Sequence, residues 1–410
     1  MTTKINNEHK KLNFSSEREQ SQACLNSAEH EKNQGRKVLN VPNLRFPEFQ
    51  GEWEKCKLGD YGKVVTGNTP PTKDIENYEN GTYLWASPAD LGTIKSITET
   101  KTMLSAQGFS KTRTLPKGSV LVTCIGSTIG KAGMATKEMS TNQQINSIVV
   151  DDNNDNEFVY YAIQSAFPRY LSSIAVQAVP IISKSAFELL PNKRPCLQEQ
   201  KKIGKFLSLL DERIATQNKI IEDLKKLKSA ISENLFKAIK GDVVILSEIC
   251  EIIKGKQVNS EFLSEKGKYY VMNGGTEPSG YYSDYNVEAN TISISEGGNS
   301  CGYVQFNTSP FWSGGHCYTI QKIADNVDHL YLYHYLKSKE DAIMKLRIGS
   351  GLPNIQKKDL AIFKIKIPTA KQQKVISTFL SSLERKAEIE ERTQKAMQKE
   401  KLYLLRQMFI

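Results

Sequence analysis

The chain is rich in side chains that can read a base or hold a phosphate, gathered on short glycine-containing stretches. In its first half they fall in TGNTPPTK (Thr66–Lys73), with Thr66, Asn68, Thr72 and Lys73; in GSTIGK (Gly126–Lys131), with Ser127 and Lys131; in TNQQ (Thr141–Gln144), with Gln143 and Gln144; and in ISKS (Ile182–Ser185), with Ser183 and Lys184. In its second half they fall in KGKQ, with Lys254, Lys256 and Gln257; in MNGGTEPSGYY, with Asn273; in GGNS, with Asn299 and Ser300; in GGH, with His316; and in NIQKK, with Asn354, Gln356 and Lys357. Asn and Gln suit adenine, Lys suits guanine, and Ser or Thr suits either, while Lys and backbone amides hold phosphates. Glycines and polar side chains are also what any strand needs at its ends. The pattern therefore marks regions of contact and leaves single contacts open.

Bond-breaking chemistry has no comparable signature. Gly126 and Gly130 are separated by three residues, not the four of a phosphate-binding P-loop, and Ala132 stands where that motif needs Ser or Thr. Asn68-Thr69-Pro70-Pro71 is out of register with the Asn-Pro-Pro-aromatic motif of amino-methyltransferases, and no GxGxxG accompanies it. The histidines are His9, His30, His316, His329 and His334. His316-Cys317 has no second pair at metal-ligand spacing, and His329 and His334 lie in an aromatic helical stretch that suits packing or surface roles. Nothing points to a nucleophilic triad. A binding protein is expected, with no catalytic, cofactor or metal site of its own.

A length of 410 residues suggests two or three domains. The formal charge of +10 suits a polyanionic partner, above all nucleic acid, although lysines on solvated faces give the same balance. The cysteines, at 24, 56, 124, 196, 250, 301 and 317, are odd in number and form no CxxC pair. That argues against a disulfide framework or zinc ribbon and predicts buried reduced thiols. The opening MTTKINNEHKKLNFSSEREQ has no apolar signal core, and no stretch approaches the ~18 apolar residues of a membrane span. The expected setting is cytoplasmic, with no membrane partner. Residues 1–43, rich in Glu, Lys, Asn, Gln and Ser, read as a mobile tail.

The positioning elements come twice. EQKKIGKFLSLL (Glu199–Leu210) returns as QQKVISTFLSSL (Gln372–Leu383), 173 positions later. SVLVTCIGSTIGKAG (Ser119–Gly133) is matched by TISISEGGNSCGYV (Thr291–Val304), LGDYGKVVTG (Leu58–Gly67) by LSEICEIIKG (Leu246–Gly255), and QAVPIISKSAF (Gln177–Phe187) by GSGLPNIQKKDL (Gly349–Leu360). A tandem duplication of about 170 residues per copy follows. VLVTCIG and TISIS read as strands ending at glycines, and EFVYYAIQSAF (Glu157–Phe167) and HLYLYHYLKSK (His329–Lys339) as helices late in each unit, giving α+β units. Each unit precedes a helix of about 40 residues, or roughly 60 Å. The first carries Ile203, Leu207, Leu210, Ile214, Ile221 and Leu224 at alternating spacings of three and four; the second carries Ile376, Leu380, Leu383, Met397 and Leu404 in matching places. Both seams turn polar at matched positions, Gln217 with Glu390 and Lys228 with Lys401. The expected architecture is two tandem α+β units and two long helices pairing as an antiparallel coiled coil about a pseudo-twofold axis.

On these words the chain resembles the specificity subunits of Type I restriction-modification systems. The resemblance is carried by LRFPEFQGEWEKCKLGD (Leu44–Asp60), the repeated loop IGSTIGK and GGNSCGY, the P-x-I stretches at Pro180 and Pro353, and the two repeated helix openings, and it covers nearly all of residues 44–410. It implies target-recognition domains over 44–195 and 241–368 that each read one half of a bipartite, asymmetric DNA site, with spacer helices over 196–240 and 369–410. It further implies two methyltransferase subunits docked on this chain, and restriction/translocase subunits beyond them. S-adenosylmethionine and ATP with Mg are expected in those partners and not here. Two rival readings are an orphan specificity subunit that redirects another system's methylase and a coiled-coil scaffold that binds proteins but not DNA.

Overall fold

The computed structural model describes residues 40–92, 94–173, 180–349, 351 and 353–410. The expected tail over 1–43, with His9, Cys24 and His30, lies outside these residues except for 40–43. There the Asn40 carbonyl accepts from the Trp53 amide at 2.7 Å and Pro42 is buried, so the chain is fixed a few residues earlier than the tail reading places it. The described residues divide into two compact units: residues up to 207 together with 403–410, and residues 208–402. This division runs through the long helices and not at their ends, because each helix end packs into a globular unit.

The first unit holds β1 (Glu54–Lys57), β2 (Gly62–Thr66), β3 (Tyr83–Ala86), β4 (Ser96–Ile97), β5 (Met103–Leu104), β6 (Val120–Thr123), β7 (Ala132–Ala135), β8 (Ser140–Thr141), β9 (Ile145–Val150), α1 (Asn156–Ser173), α2 (Lys184–Glu188) and β10 (Pro191–Arg194). Its main sheet runs β2-β9-β6-β7-β4; smaller sheets are β5-β3-β8 and the antiparallel pair β1-β10. β6 is apolar and β-branched (VLVT) and buried at every residue, as a central strand requires. Trp53, Phe158 and Phe409 pack edge-on or tilted in this core, 5.4–6.1 Å between ring centroids, which ties the 403–410 stretch to the residue before β1.

α3 (Leu197–Ala238) is 42 residues long and begins in this unit. Two buried polar groups fix its start. Glu199 accepts from the Arg45 guanidinium through both oxygens at 2.8 Å and from the Trp53 indole at 3.3 Å. Gln200 donates to the Pro195 carbonyl at 3.0 Å and accepts from the Asp155 amide at 3.1 Å. Asp155 in turn caps α1 by accepting from the Phe158 amide.

The second unit holds β11 (Asp242–Ile245), β12 (Glu251–Lys254), β13 (Tyr269–Met272), β14 (Tyr281–Tyr282), β15 (Thr291–Ser295), β16 (Val304–Asn307), β17 (Trp312–Ser313), β18 (Cys317–Gln321), α4 (His329–Ser338), α5 (Lys357–Ala361), β19 (Lys364–Ile367) and most of α6 (Ala370–Met408, 39 residues). Its sheets are β12-β18-β15-β16, β14-β13-β17 and β11-β19. Strand for strand these repeat β2-β9-β6-β7, β5-β3-β8 and β1-β10, including the one parallel neighbour in each small sheet, β3 with β8 and β13 with β17. The helix pin repeats as well. Gln373 donates to the Pro368 carbonyl at 3.0 Å and accepts from the Asp328 amide at 2.8 Å, and Asp328 caps α4. The core gathers Leu332, Leu336, Ile292, Ile294 and Ile320 under Phe236 of α3 and Leu380 of α6.

Within the second unit the two helices run antiparallel, as their cross-links show. Asp211 pairs with Lys401, Gln217 with Glu390 and Lys228 with Glu384, so one number falls as the other rises; Lys225 also pairs with Glu391. Three of these links obey the 173-residue repeat. Lys228–Glu384 becomes Lys401–Asp211 on exchanging equivalent positions, and Gln217 Nε2 donates at 2.6 Å to Glu390, its own equivalent. The Gln217–Glu390 pair therefore lies on the local twofold of the helix pair. All the seam residues are buried or half-buried: Ile203, Leu207, Ile214, Ile221, Leu380 and Leu404 are buried, and Leu210, Leu224, Ile376, Leu383 and Met397 are half-buried.

Of the thiols expected to be buried, Cys56, Cys124, Cys250, Cys301 and Cys317 are, and all are free. Cys196 is exposed, because it precedes the helix start and faces no core. No helix among the described residues is long and apolar enough to cross a membrane.

Candidate nucleic-acid interface

Antiparallel pairing places the C-terminal ends of β2 and β6 beside the N-terminal end of β9. That brings the four polar stretches of the first half to one end of the main sheet. The Cys124 amide donates to the Gln144 carbonyl and the Ile182 amide to the Cys124 carbonyl, both at 2.8 Å. The Gly126 amide donates to the Pro180 carbonyl at 3.0 Å, and the Asn68 amide to the Thr141 carbonyl at 2.9 Å. Thr66, Asn68, Ser127, Gln143, Gln144 and Ser183 converge here, with Lys131 at the start of β7 and Lys184 opening α2. Thr72 and Lys73 are exposed on the 67–74 loop that leaves β2.

The corresponding end of the second sheet has the same backbone frame. The Glu296 amide donates to the His316 carbonyl at 2.9 Å and the Ile355 amide to the Glu296 carbonyl at 2.8 Å. The Gly298 amide donates to the Pro353 carbonyl at 3.0 Å, and the Lys256 amide to the Ser313 carbonyl at 2.8 Å. Equivalent glycines hold the turn with positive φ: Gly126 at 89° with Gly298 at 76°, and Gly130 at 91° with Gly302 at 90°. A side chain at Gly130 would strike the Phe167 ring and one at Gly302 would strike Met344, so glycine is required there twice over. On this repeated frame the side chains differ: Asn68 stands where Lys256 does, Cys124 where Glu296 does, and Gln144 where His316 does.

The sequence candidates separate into two groups. Some hold the frame. Asn68 donates to the Lys111 carbonyl at 2.9 Å and accepts from the Arg113 amide at 2.8 Å. Thr66 donates to Asn146 at 2.6 Å, Gln144 accepts from Asn142 at 3.0 Å, Ser183 caps α2, and Asn273 accepts from the His316 amide at 3.1 Å. Thr69 donates to Gln143. Others are presented outward. Thr72, Lys73, Ser127, Lys131, Lys256, Asn299, Asn354 and Lys357 are exposed, and Ser300 and Gln356 half-exposed, with no side-chain hydrogen bond or ion pair to another described residue. Gln257 and His316 are exposed too, Gln257 making only a 3.4 Å bond to the Val258 carbonyl.

Two residues of the site carry no sequence signal. Arg113 donates to the Thr66 carbonyl at 2.8 Å and is exposed beside Asn68, far in sequence from any motif. Glu296 is a buried carboxylate; Oε1 accepts from Lys254 at 2.6 Å and from the Tyr318 hydroxyl at 2.9 Å, and Oε2 is 3.7 Å from His316 Nδ1. Burial, then the Glu296 carboxylate, push the Tyr318 hydroxyl well above its ordinary value, so it stays a donor. Burial likewise pushes the Cys124 thiol up to about 12 and the Cys317 thiol up to about 11, so neither is a nucleophile at neutral pH. Among the described residues no cluster of three His, Cys, Asp or Glu side chains could hold a metal.

The profile of the Type I restriction modification DNA specificity domain matches residues 50–226 and again 240–399. The chain belongs to this family. It is 25% identical over 414 residues to the MjaVIII type I restriction enzyme specificity subunit of Methanocaldococcus jannaschii, covering 87% of this chain and 91% of that one. To the MjaIX specificity subunit of the same organism it is 30% identical over 191 residues, 45% of this chain; that alignment spans 44% of the relative's length. The fold is that of the Type I restriction-modification S subunit from M. genitalium, with a TM-score of 0.65, 21% identity and coverage of 90% of this chain and 99% of the other.

Proposed function

We propose that the chain is the DNA sequence-specificity subunit of a Type I restriction-modification complex, without catalysis of its own. Its recognition domains, 44–195 and 241–368, each read one half of a bipartite, asymmetric duplex site. The observation that supports this most is the repeated backbone frame with divergent side chains. An identical scaffold is what one duplex geometry requires twice, and different side chains are what two different half-sequences require. Thr72, Lys73, Ser127, Lys131, Lys256, Gln257, Asn299, Ser300, His316, Asn354, Gln356 and Lys357 are the presented contacts. Thr66, Asn68, Gln143, Gln144, Ser183, Lys184, Lys254 and Asn273 shape the frame around them. The helix pair sets the unread spacer between half-sites. Methyltransferase subunits that hold S-adenosylmethionine dock on this chain, flip the target adenine and are joined by ATP- and Mg-dependent restriction subunits.

The turns Gly126–Gly130 and Gly298–Gly302 have equal length and matching positive-φ glycines, so their contents can be exchanged without disturbing the frame. Asn299→Ser with Ser300→Thr writes Ser127 and Thr128 of the first turn into the second. In the assembled methyltransferase this pair is expected to alter preference in one half-site by about tenfold, since a base contact is worth about 1–3 kcal/mol, and to leave the other half unchanged. A change in both halves would contradict the assignment.

A further inference from the structure

The first unit has a cavity of about 410 Å³ lined by Lys55, Arg169, Asn192 and Lys193, with Cys56, Tyr170, Leu190, Pro191 and Ile410 completing its wall. Lys55 and Lys193 face each other across the β1-β10 ladder, as do Cys56 and Asn192. None of the three cations forms an ion pair with a described residue. The Lys193 ammonium is held below its ordinary value first by burial and then by repulsion from Arg169 and Lys55, with Glu52 offsetting part of it. Asn192 is nine-tenths buried. Its Oδ1 accepts from the Lys193 amide at 2.8 Å, which fixes the amide's orientation, and its Nδ2 donor is buried without a partner.

The duplication supplies an internal control. In the second unit the same ladder pairs Val243 with Lys366 and Val244 with Ile365, so an apolar pair stands where Cys56 and Asn192 do and Val243 stands for Lys55. Counting 173 positions on from Arg169 gives Ala342. The fold therefore does not need three cations and a buried amide here; only the first copy has them. Converging cations from three elements suit an acceptor with three or more oxygens better than a two-oxygen carboxylate.

We propose that this pocket binds a phosphate group, through Lys55, Arg169 and Lys193. The site is separate from the base-reading end of the sheet. The phosphate is either a duplex backbone phosphate or a free one such as that of a nucleotide. The test uses the full chain and the variant Lys55→Val/Arg169→Ala/Asn192→Ile, which writes in the second copy's residues. Inorganic phosphate should raise the melting temperature of the wild-type chain above that in chloride at equal ionic strength, and the triple variant should lose that increment. Arg169→Gln alone, a surface change, should reduce it and guards against a misfolded triple variant. No phosphate-specific increment in the wild type, or an equal one in both variants, would overturn the proposal. Duplex titration across salt separates the sources. A slope of log K against log salt shallower by about 0.9 in the variant marks a backbone phosphate, whereas equal slopes with the increment intact mark a free one. Only this duplex arm rests on the recognition reading, so the two readings fail separately.

Discussion

At the residue scale, residue types point to regions, and tertiary folding assigns each side chain its contacts. Types and local spacing pointed to the sheet end where Thr66, Ser127, Gln144 and Ser183 meet, yet Asn68 and Gln144 hold the frame because their partners, Lys111, Arg113 and Asn142, are supplied by tertiary folding. Glu296 was missed for the same reason: a lone Glu after TISIS gives no sign that Lys254 and Tyr318 converge on it. Glu296→Gln keeps the shape but loses the charge that holds Lys254. It is expected to destabilise the second unit by about 1–3 kcal/mol, as loss of charge-assisted bonds does, and urea unfolding would show it; an unchanged midpoint would contradict the network. His334 gives a pH prediction. It is 2% exposed, lies 2.9 Å from Ser381 Oγ, and burial lowers its value from 6.5 to about 4. The unfolded chain takes up the proton first, so this contribution is complete above pH 6.5 and is lost as pH falls toward 4. The loss is on the order of 3 kcal/mol, at about 1.4 kcal/mol per unit. Denaturation at pH 7 and pH 5 should show a flatter dependence in His334→Gln than in the wild-type chain; equal slopes would contradict a buried neutral imidazole.

At the element scale the sequence was most legible, because helical spacing and a repeat are both local patterns. The heptad seam, the strands at VLVT and TISIS, and the matched polar positions all appear in the fold. The partners of those polar positions were not legible, since spacing along one helix does not say which residue of another helix lies opposite. Gln217 and Glu390 meet each other, but Lys228 and Lys401 each find an acid, Glu384 and Asp211. These ion pairs are half-buried and single-register, so they act on alignment. Lys228→Glu should cost about 1 kcal/mol or more, and adding Glu384→Lys should recover most of it. A double-mutant cycle with no coupling would remove them as register determinants. Gln217→Leu with Glu390→Leu should raise thermal stability while weakening the preference for one register, which crosslinking of engineered cysteine pairs along the helices would detect.

At the scale of the whole molecule, two copies of one frame carry different side chains, and each copy is followed by a long helix, of 42 and 39 residues. Exchange of residues 44–195 for those of a relative should therefore change one half of the target and leave the other. The central claim is tested most directly by single-molecule mapping of methylated adenine in DNA from cells that carry this gene with its partner methylase, beside cells lacking the gene. The account predicts a new bipartite motif, methylated in both halves and separated by a fixed unread spacer. With the methylase shown to be active, the absence of any new motif, or a continuous motif with no spacer, would contradict it.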